Sequence, residues 1–270
     1  MCTRKSGQRG LSLIELMVAI AIGSILMLGV GQVFMGGRIS FQLSEGLSRM
    51  QETGRLAIQM LSHDLRVAGY SNHPEILRPE KSVIANGATG YFPFGDTSSG
   101  EDYANQTTAV PAGAAGDMLV IQRQSATDCL GQATPTLAVS GGGAINVAVN
   151  RYWVEGGQLR CLGNGNVAPQ ALMDGVEHME VQYGLDTDND VIADIYRNAA
   201  NLTAAQWANV VSVRIALLVN SINEINSLPV DDQTYRLLDS VDIDPDPDDR
   251  RMRRVFTTTV LLRNRRPDPT

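Results

Sequence analysis

Residues 11–37 read LSLIELMVAIAIGSILMLGVGQVFMGG and carry a single charge, Glu15, before the next at Arg38. About 20 apolar residues suffice to cross the roughly 30 Å hydrocarbon core of a bilayer, so this stretch is long enough to span. The preceding ten residues, MCTRKSGQRG, hold Arg4, Lys5 and Arg9 and no acid. Positive charge retained in the cytoplasm orients an exported chain in this way. An ordinary secretory signal puts its small residue after the apolar run, whereas Gly10 stands before it. Cutting at Gly10 would remove the charges and leave the apolar helix on the mature protein. A carboxylate in such a helix costs at least about 2.5 kcal/mol at the bilayer centre, so Glu15 requires a partner, a function or a place at the membrane surface. With Leu11 as the new amino-terminus, its α-amine lies one helical turn from Glu15, on the same chain or on a neighbour in a bundle of such helices.

The stretch RGLSLIELMVAI, residues 9–20, resembles the class III signal of type IV prepilins: a short basic leader, a glycine, an apolar run and a glutamate at the fifth mature position. The resemblance implies that a prepilin peptidase cuts between Gly10 and Leu11 and methylates the Leu11 amine. It also implies that Glu15 sets the register of the incoming subunit during assembly. Leu11 stands where the family more often has phenylalanine.

The helical pattern continues past the apolar run. Leu47, Met50, Gly54, Ala57/Ile58, Leu61, Leu65 and Ala68 recur at spacings of three and four, with Glu45, Arg49, Glu52, Arg55 and Arg66 off that stripe. No proline interrupts residues 11–70, and Gly69 followed by Pro74 supplies a stop. A helix of about 58 residues would run on the order of 87 Å. Gly23, Gly29, Gly31, Gly36 and Gly37 lower helix propensity by up to about 1 kcal/mol each; they serve close helix–helix approach or local bending, or are merely tolerated in lipid.

Residues 71–116 are rich in Gly, Pro, Ser, Thr and Ala and read as a long loop region. Strand-like runs follow at 118–124, 145–154, 158–162, 176–183, 210–220 and 255–263, with Gly156-Gly157 as a hairpin turn between two of them. Val147, Val149, Tyr152 and Leu159 are expected on a buried sheet face. A long helix followed by an antiparallel sheet is an α+β architecture. The expected organisation is a cleaved leader at 1–10, a transmembrane or filament-core helix at 11–37, its amphipathic continuation at 38–70, and a globular α+β domain at 71–270.

A second resemblance reaches both ends of the chain. RMQETGRLAIQMLSHDLRVAGY (49–70) is similar to the helix end of PilW-type minor pilins, and GVEHMEVQYGLDTDNDVIAD (175–194), VVSVRIALLV (210–219) and RRVFTTTVLLRNR (253–265) are later matches in order. It implies the type IV pilin-like fold, in which the long helix packs on the sheet. It further implies a minor pilin that primes or caps the filament tip. The partners it implies are other minor pilins, the major pilin and a large pilus-tip adhesin. Before assembly the chain would be single-pass in the bacterial inner membrane, amino-terminus cytoplasmic and domain periplasmic; afterwards it would lie in the pilus at the cell surface.

Composition sets the remaining limits. The chain has 270 residues and a formal net charge of −7; without Arg4, Lys5 and Arg9 this becomes −7 − 3 = −10. Such a balance argues against nucleic acid. DSVDIDPDPDD (239–249) abuts RRMRR (250–254), and these charges are expected to pair locally or stay solvated instead of binding DNA. Beyond Cys2 in the leader, Cys129 and Cys161 are an even pair, expected to form a disulfide in an oxidising compartment, with unpaired buried thiols as the alternative. Asp186, Asp188, Asp190 and Asp194 fall at positions 1, 3, 5 and 9 of a calcium-loop spacing. Against it, the sixth position is Val191 instead of glycine and the twelfth is Arg197 instead of glutamate, so a solvated acidic turn is the alternative.

His63, His73 and His178 are scattered, and Trp153 and Trp207 read as core or interface anchors. No GxSxG, HExxH or GxxxxGK[ST] occurs. No cofactor is required and no enzymatic activity is expected. Three readings compete with a minor pilin: a J-type pseudopilin of a type II secretion system, a calcium-dependent pilus-tip adhesin subunit, and, with least in its favour, a membrane-anchored periplasmic enzyme.

Overall fold

A computed structural model describes residues 12–72, 83–85, 111, 113–138, 143–165, 168–203, 206–239 and 242–264. Helix α1 runs Leu13–Val67 without a break. Its end is built by Gly69, whose φ of +74° is the left-handed conformation that favours glycine. The Gly69 N–H then donates to the Gln122 carbonyl at 2.8 Å, and the Gln124 N–H to the Tyr70 carbonyl at 2.8 Å. The helix therefore stops by pairing its exit onto a strand.

The chain divides into two units, Met1–Glu45 and Gly46–Thr270, with the boundary inside α1. In the first unit the helix presents its apolar side chains outward: Leu13, Ile14, Leu26, Val33 and Phe34 are all exposed. In the second, Gly46, Met50, Gly54, Ala57, Leu61 and Leu65 form the buried stripe of α1. Leu47, expected on that stripe, is exposed, and Gly46 takes its place because the neighbouring side chains leave no room there. A Cβ on Gly46 would come within 2.8 Å of Met252 Cε, and one on Gly54 within 2.3 Å of the Phe256 ring. Two glycines thus set how closely this half of α1 lies on the sheet.

The strands are β1 (Val83–Ala85), β2 (Leu119–Gln124), β3 (Thr136–Ala138), β4 (Ala144–Glu155), β5 (Gln158–Gly163), β6 (Gln170–Asp174), β7 (Val176–Leu185), β8 (Ile195–Arg197), β9 (Val210–Asn220) and β10 (Arg253–Leu261). Where one antiparallel sheet was expected there are two among the described residues. The first has the order β1-β2-β4-β5-β6, with β3 also pairing β4; the second has the order β10-β9-β7-β8. All strand pairs are antiparallel. The β4–β5 hairpin closes as expected on Gly156 and Gly157, with φ of +61° and +74°, the conformation a two-residue turn demands.

Residues 114–117 tie the two sheets together. The Ala115 N–H donates to the Val154 carbonyl at 2.8 Å, and the Asp117 N–H to the Met179 carbonyl at 2.7 Å. Gly116 between them has φ +87°, and a Cβ there would sit 2.0 Å from the Met179 oxygen, so only glycine fits.

Six strands lie where the sequence pattern places them, β10 starting and ending two residues early. Strands β1, β3 and β8 have three residues each, too few for alternation to register, and β6 shows no alternating burial. Tyr152 and Leu159 join the main core with Leu61, Leu65, Met179 and Ile215. Val147 and Val149 do not share that face: they lie in a separate buried cluster with Met118, Val120, Ile145 and Trp153. Period-2 geometry dictates this, since odd and even positions of one strand point to opposite sides. Of the expected loop region at 71–116, most lies outside the described residues.

Candidate assembly helix and its anchoring

The start of α1 is closed by a reciprocal pair. The Ser12 N–H donates to Glu15 Oε2 at 3.1 Å, and the Glu15 N–H donates to Ser12 Oγ at 3.2 Å. With Leu13 as the first helical residue, Ser12 is the N-cap and Glu15 the third position, which is the geometry of a capping box. Glu15 therefore has a definite partner on its own chain. Gly10 and Leu11, the expected cleavage pair, lie outside the described residues. From Leu13 the helix is long and apolar enough to cross a membrane, with its apolar window unburied among the described residues.

The other end of α1 is fastened by Asp64, a residue the sequence reading passed over. Its carboxylate is buried and accepts hydrogen bonds from Tyr152 Oη at 2.6 Å and Asn150 Nδ2 at 2.8 Å, with Arg123 Nε at 3.5 Å. Burial and the adjacent Asp64 carboxylate push the Tyr152 phenol far above its ordinary pKa, so it stays a donor. Asn150 Oδ1 in turn accepts the Cys129 N–H at 2.9 Å. The signal was present: Asp64 stands three residues after Leu61 and four before Ala68, on the buried face, where an acid must be paired. Cys129 forms the expected disulfide with Cys161 of β5, so the same polar node also holds the disulfide loop. His63, next in sequence, faces solvent as expected.

The acidic loop after β7 brings three of the four expected carboxylates together. Asp186, Asp188 and Asp194 bring carboxylate oxygens within 4.8 Å of one another, but Asp190 is not part of that group. Asp186, almost fully buried, already accepts the N–H groups of Asn189 at 2.7 Å, Asp190 at 3.2 Å and Val191 at 2.9 Å. Asp190 accepts the Ile192 N–H at 2.7 Å, and Asp194 accepts both the N–H and hydroxyl of Thr187. Oxygens of Asp186 and Asp190 thus also close the loop's own turn. Repulsion from Asp190 and Asp194 raises the Asp188 pKa, while the Thr187 bonds lower that of Asp194.

The acidic and basic runs near the carboxy-terminus pair locally. Arg253, nearly inaccessible, binds Glu177 through Nε at 2.6 Å and Asp231 through Nη1 at 2.9 Å, and also contacts Asp249. Arg251 reaches Asp249 at 2.5 Å, and Arg236 reaches Asp242 at 2.6 Å. Ionisation of Asp249 is favoured strongly enough by these arginines to hold its pKa well below the usual range despite burial. This clasp fixes the segment after β9 onto the second sheet, where Leu237 packs on Ala216 and Leu218. Trp207 meets Tyr183 edge to face at 4.7 Å between centroids, and Trp153 lies in the second buried cluster, so both act as anchors.

One titratable group stands apart. Asp117, in the segment joining the sheets, has its pKa raised to about 6, chiefly by burial and further by the Glu180 carboxylate. The Val181 N–H, bound to its Oδ2 at 2.9 Å, opposes that rise. His178 Nε2 lies 2.7 Å from Glu180 Oε1 beside it.

Residues 142–264 match the family model described as type IV pilus-assembly protein W, PilW, and residues 5–31 match the prokaryotic N-terminal methylation motif. Comparison with curated proteins gives no match. Among solved structures, the chain is similar to a type IV-like pilin, TTHA1219, from Thermus thermophilus, at 16% identity and a TM-score of 0.43, covering 82% of this chain and 97% of that one. It is also similar to a chain in the GspK-GspI-GspJ complex of the type 2 secretion system from enterotoxigenic Escherichia coli, at 16% identity and a TM-score of 0.34, covering 83% and 99%.

Proposed function

We propose, for a chain that belongs with the PilW type IV pilus-assembly proteins and carries a prepilin-type methylation motif, that it is a minor pilin which primes or caps the filament tip. The observation that carries this reading is the first part of α1: an apolar surface exposed among the described residues and opened by a single carboxylate. Such a surface is stable only in lipid or against other helices of the same kind.

In this account a prepilin peptidase cuts between Gly10 and Leu11 and methylates the Leu11 amine. The helix then waits in the inner membrane with its leader side cytoplasmic and the domain beyond it periplasmic. On assembly it leaves lipid for the helix bundle of the filament, beside other minor pilins and the major pilin, with a large adhesin at the tip. The protein works as a structural subunit. The disulfide fits an oxidising compartment, and the domain is held by pairing within the chain, so the account invokes no calcium ion and no calcium-dependent adhesion.

Substitution tests the assembly role. Glu15→Ala in the full chain is expected to give a processed protein that accumulates in the membrane and is absent from sheared pili. Incorporation at the wild-type level would contradict it. Crosslinking in the same cells separates a pilus subunit from a J-type secretion pseudopilin: recovery of secretion-system pseudopilins without pilins would overturn the pilus assignment.

A further inference from the structure

Among the described residues the two sheets end in four edge strands, and three of them are blunted. Strands β1 and β8 have three residues each, and β6 has five with a register shift against β5. Strand β10 is different. It has nine residues and pairs with β9 from Arg253↔Asn220 to Leu261↔Ser212 without a shift. Among the described residues no strand pairs with its other edge. Proteins guard such edges with proline, charge, bulges or short length. Residues 255–261 read VFTTTVL, with neither proline nor charge. Arg253 before them is no guard, because Glu177, Asp231 and Asp249 hold its guanidinium.

Hydrogen bonds at the two ends of the β9–β10 ladder show which backbone groups are open. The Ser221 N–H donates to the Met252 carbonyl and the Leu262 N–H to the Val211 carbonyl, both at 2.9 Å. Even-numbered residues from 252 to 262 therefore turn their N–H and C=O toward β9. Val255, Thr257, Thr259 and Leu261 turn theirs away from it, and Thr257, Thr259 and Leu261 are exposed. Such a row matches the backbone of one more extended chain, laid alongside at about 4.8 Å.

We propose that the open edge of β10 takes a β-strand from a different filament subunit, which lengthens the second sheet by one strand. The proposal rests on the assembly reading above for the source of that strand. The side chains beside the edge state its chemistry. Phe256 and Val260 share one face of β10 with α1, and Phe256, packed against Gly54, is only half-buried. Apolar residues of the incoming strand would cover it. Arg254 lies on the same face, exposed, 5.7 Å from the Phe256 ring and with no ion pair to an acid among the described residues. A carboxylate on the incoming strand would meet it. A second copy of β10 does not fit, since residues 253–261 contain no acid.

The test uses the full chain in its native cells, with the photocrosslinker p-benzoylphenylalanine in place of Leu261. Irradiation is expected to join the chain to one other filament subunit, through a segment that carries an Asp or Glu. Thr257→Pro in the same background removes an outward N–H and leaves the β9 ladder whole. It should lower the crosslinked yield roughly tenfold, the equivalent of about 1.4 kcal/mol. The melting temperature of the extracted chain should stay within about 2 °C of wild type, whereas Thr258→Pro, whose N–H faces β9, should melt more than about 4 °C lower. Thr257→Val, which keeps the N–H, should retain the yield.

An unchanged yield in Thr257→Pro would remove the proposal and leave the assembly role standing. So would a product that contains only a second copy of this chain, or no product although the chain is present in sheared pili. Absence of the chain from pili, with no crosslink to any pilin, would remove both. Should Thr257→Pro fail to accumulate, amide exchange in the otherwise wild-type chain decides. The Val255, Thr257, Thr259 and Leu261 positions should exchange more slowly in the recovered crosslinked complex than in the extracted chain alone, and equal exchange would overturn the strand pairing.

Discussion

Asp117 shows how a single residue carries the chemistry of the joint between the two sheets. Burial and Glu180 raise its pKa from 3.8 to about 6, and His178 Nε2 lies 2.7 Å from Glu180 Oε1. In the unfolded chain Asp117 ionises near 3.8, whereas in the fold it keeps its proton until about 6. Stability therefore falls as pH rises through that window, and the deficit persists above it. Asp117→Asn keeps an acceptor for the Val181 N–H and removes the charge. The variant should be more stable than wild type at pH 7 by about 1–3 kcal/mol, with the difference vanishing below pH 4, since one pKa unit corresponds to about 1.36 kcal/mol. Denaturant melts at both pH values check this, and equal stability at pH 7 would contradict it. No sequence pattern marks Asp117, because its environment is assembled from Glu180 and Val181, over sixty residues away. Glu15 is the opposite case: its oddity is visible in the string itself, since it is the one charge between Gly10 and Arg38. Its partner Ser12 is equally visible in the S-x-x-E spacing.

At the scale of elements, α1 is two helices in function though one in backbone. The first half offers apolar side chains outward; the second is clamped by Gly46 and Gly54 beneath Met252 and Phe256, and by Asp64 on β4. Asp64→Ala would leave the Tyr152 hydroxyl and Asn150 amide buried without their acceptor. Each such loss costs about 1–3 kcal/mol, so a fall in stability of several kcal/mol is expected. Asp64→Asn, which can still accept from Tyr152, should lose less. Equal melting of the Ala variant and wild type would show that the node does not fasten the helix. Periodicity made α1, β2, β4, β5, β7 and β9 legible, because each is long enough to repeat its pattern. Strands β3 and β8 were hidden for want of length. The division into two sheets was hidden because residues 114–117, a short Gly-containing stretch, give no sign that they pair with both β4 and β7.

For the whole molecule, sequence and structure place chemistry at opposite ends of the chain for different purposes. The amino-terminal stretch matches the N-terminal methylation motif and is legible as text because its glycine, apolar run and glutamate are linear features. The PilW match over residues 142–264 covers β4 to β10 and the Arg253 clasp, whose contacts depend on folding. The acidic spacing at 186–194 was legible in the string, and the fold brings three of its four carboxylates, Asp186, Asp188 and Asp194, together while Asp190 stays outside that group. Everything functional in this account follows from the apolar helix being retained and the basic leader being lost. Intact-mass measurement of the native protein extracted from membranes tests that directly. The predicted species begins at Leu11 and carries one methyl group on its amine. A native chain that keeps Met1, or one that begins beyond Gly37, would contradict the account.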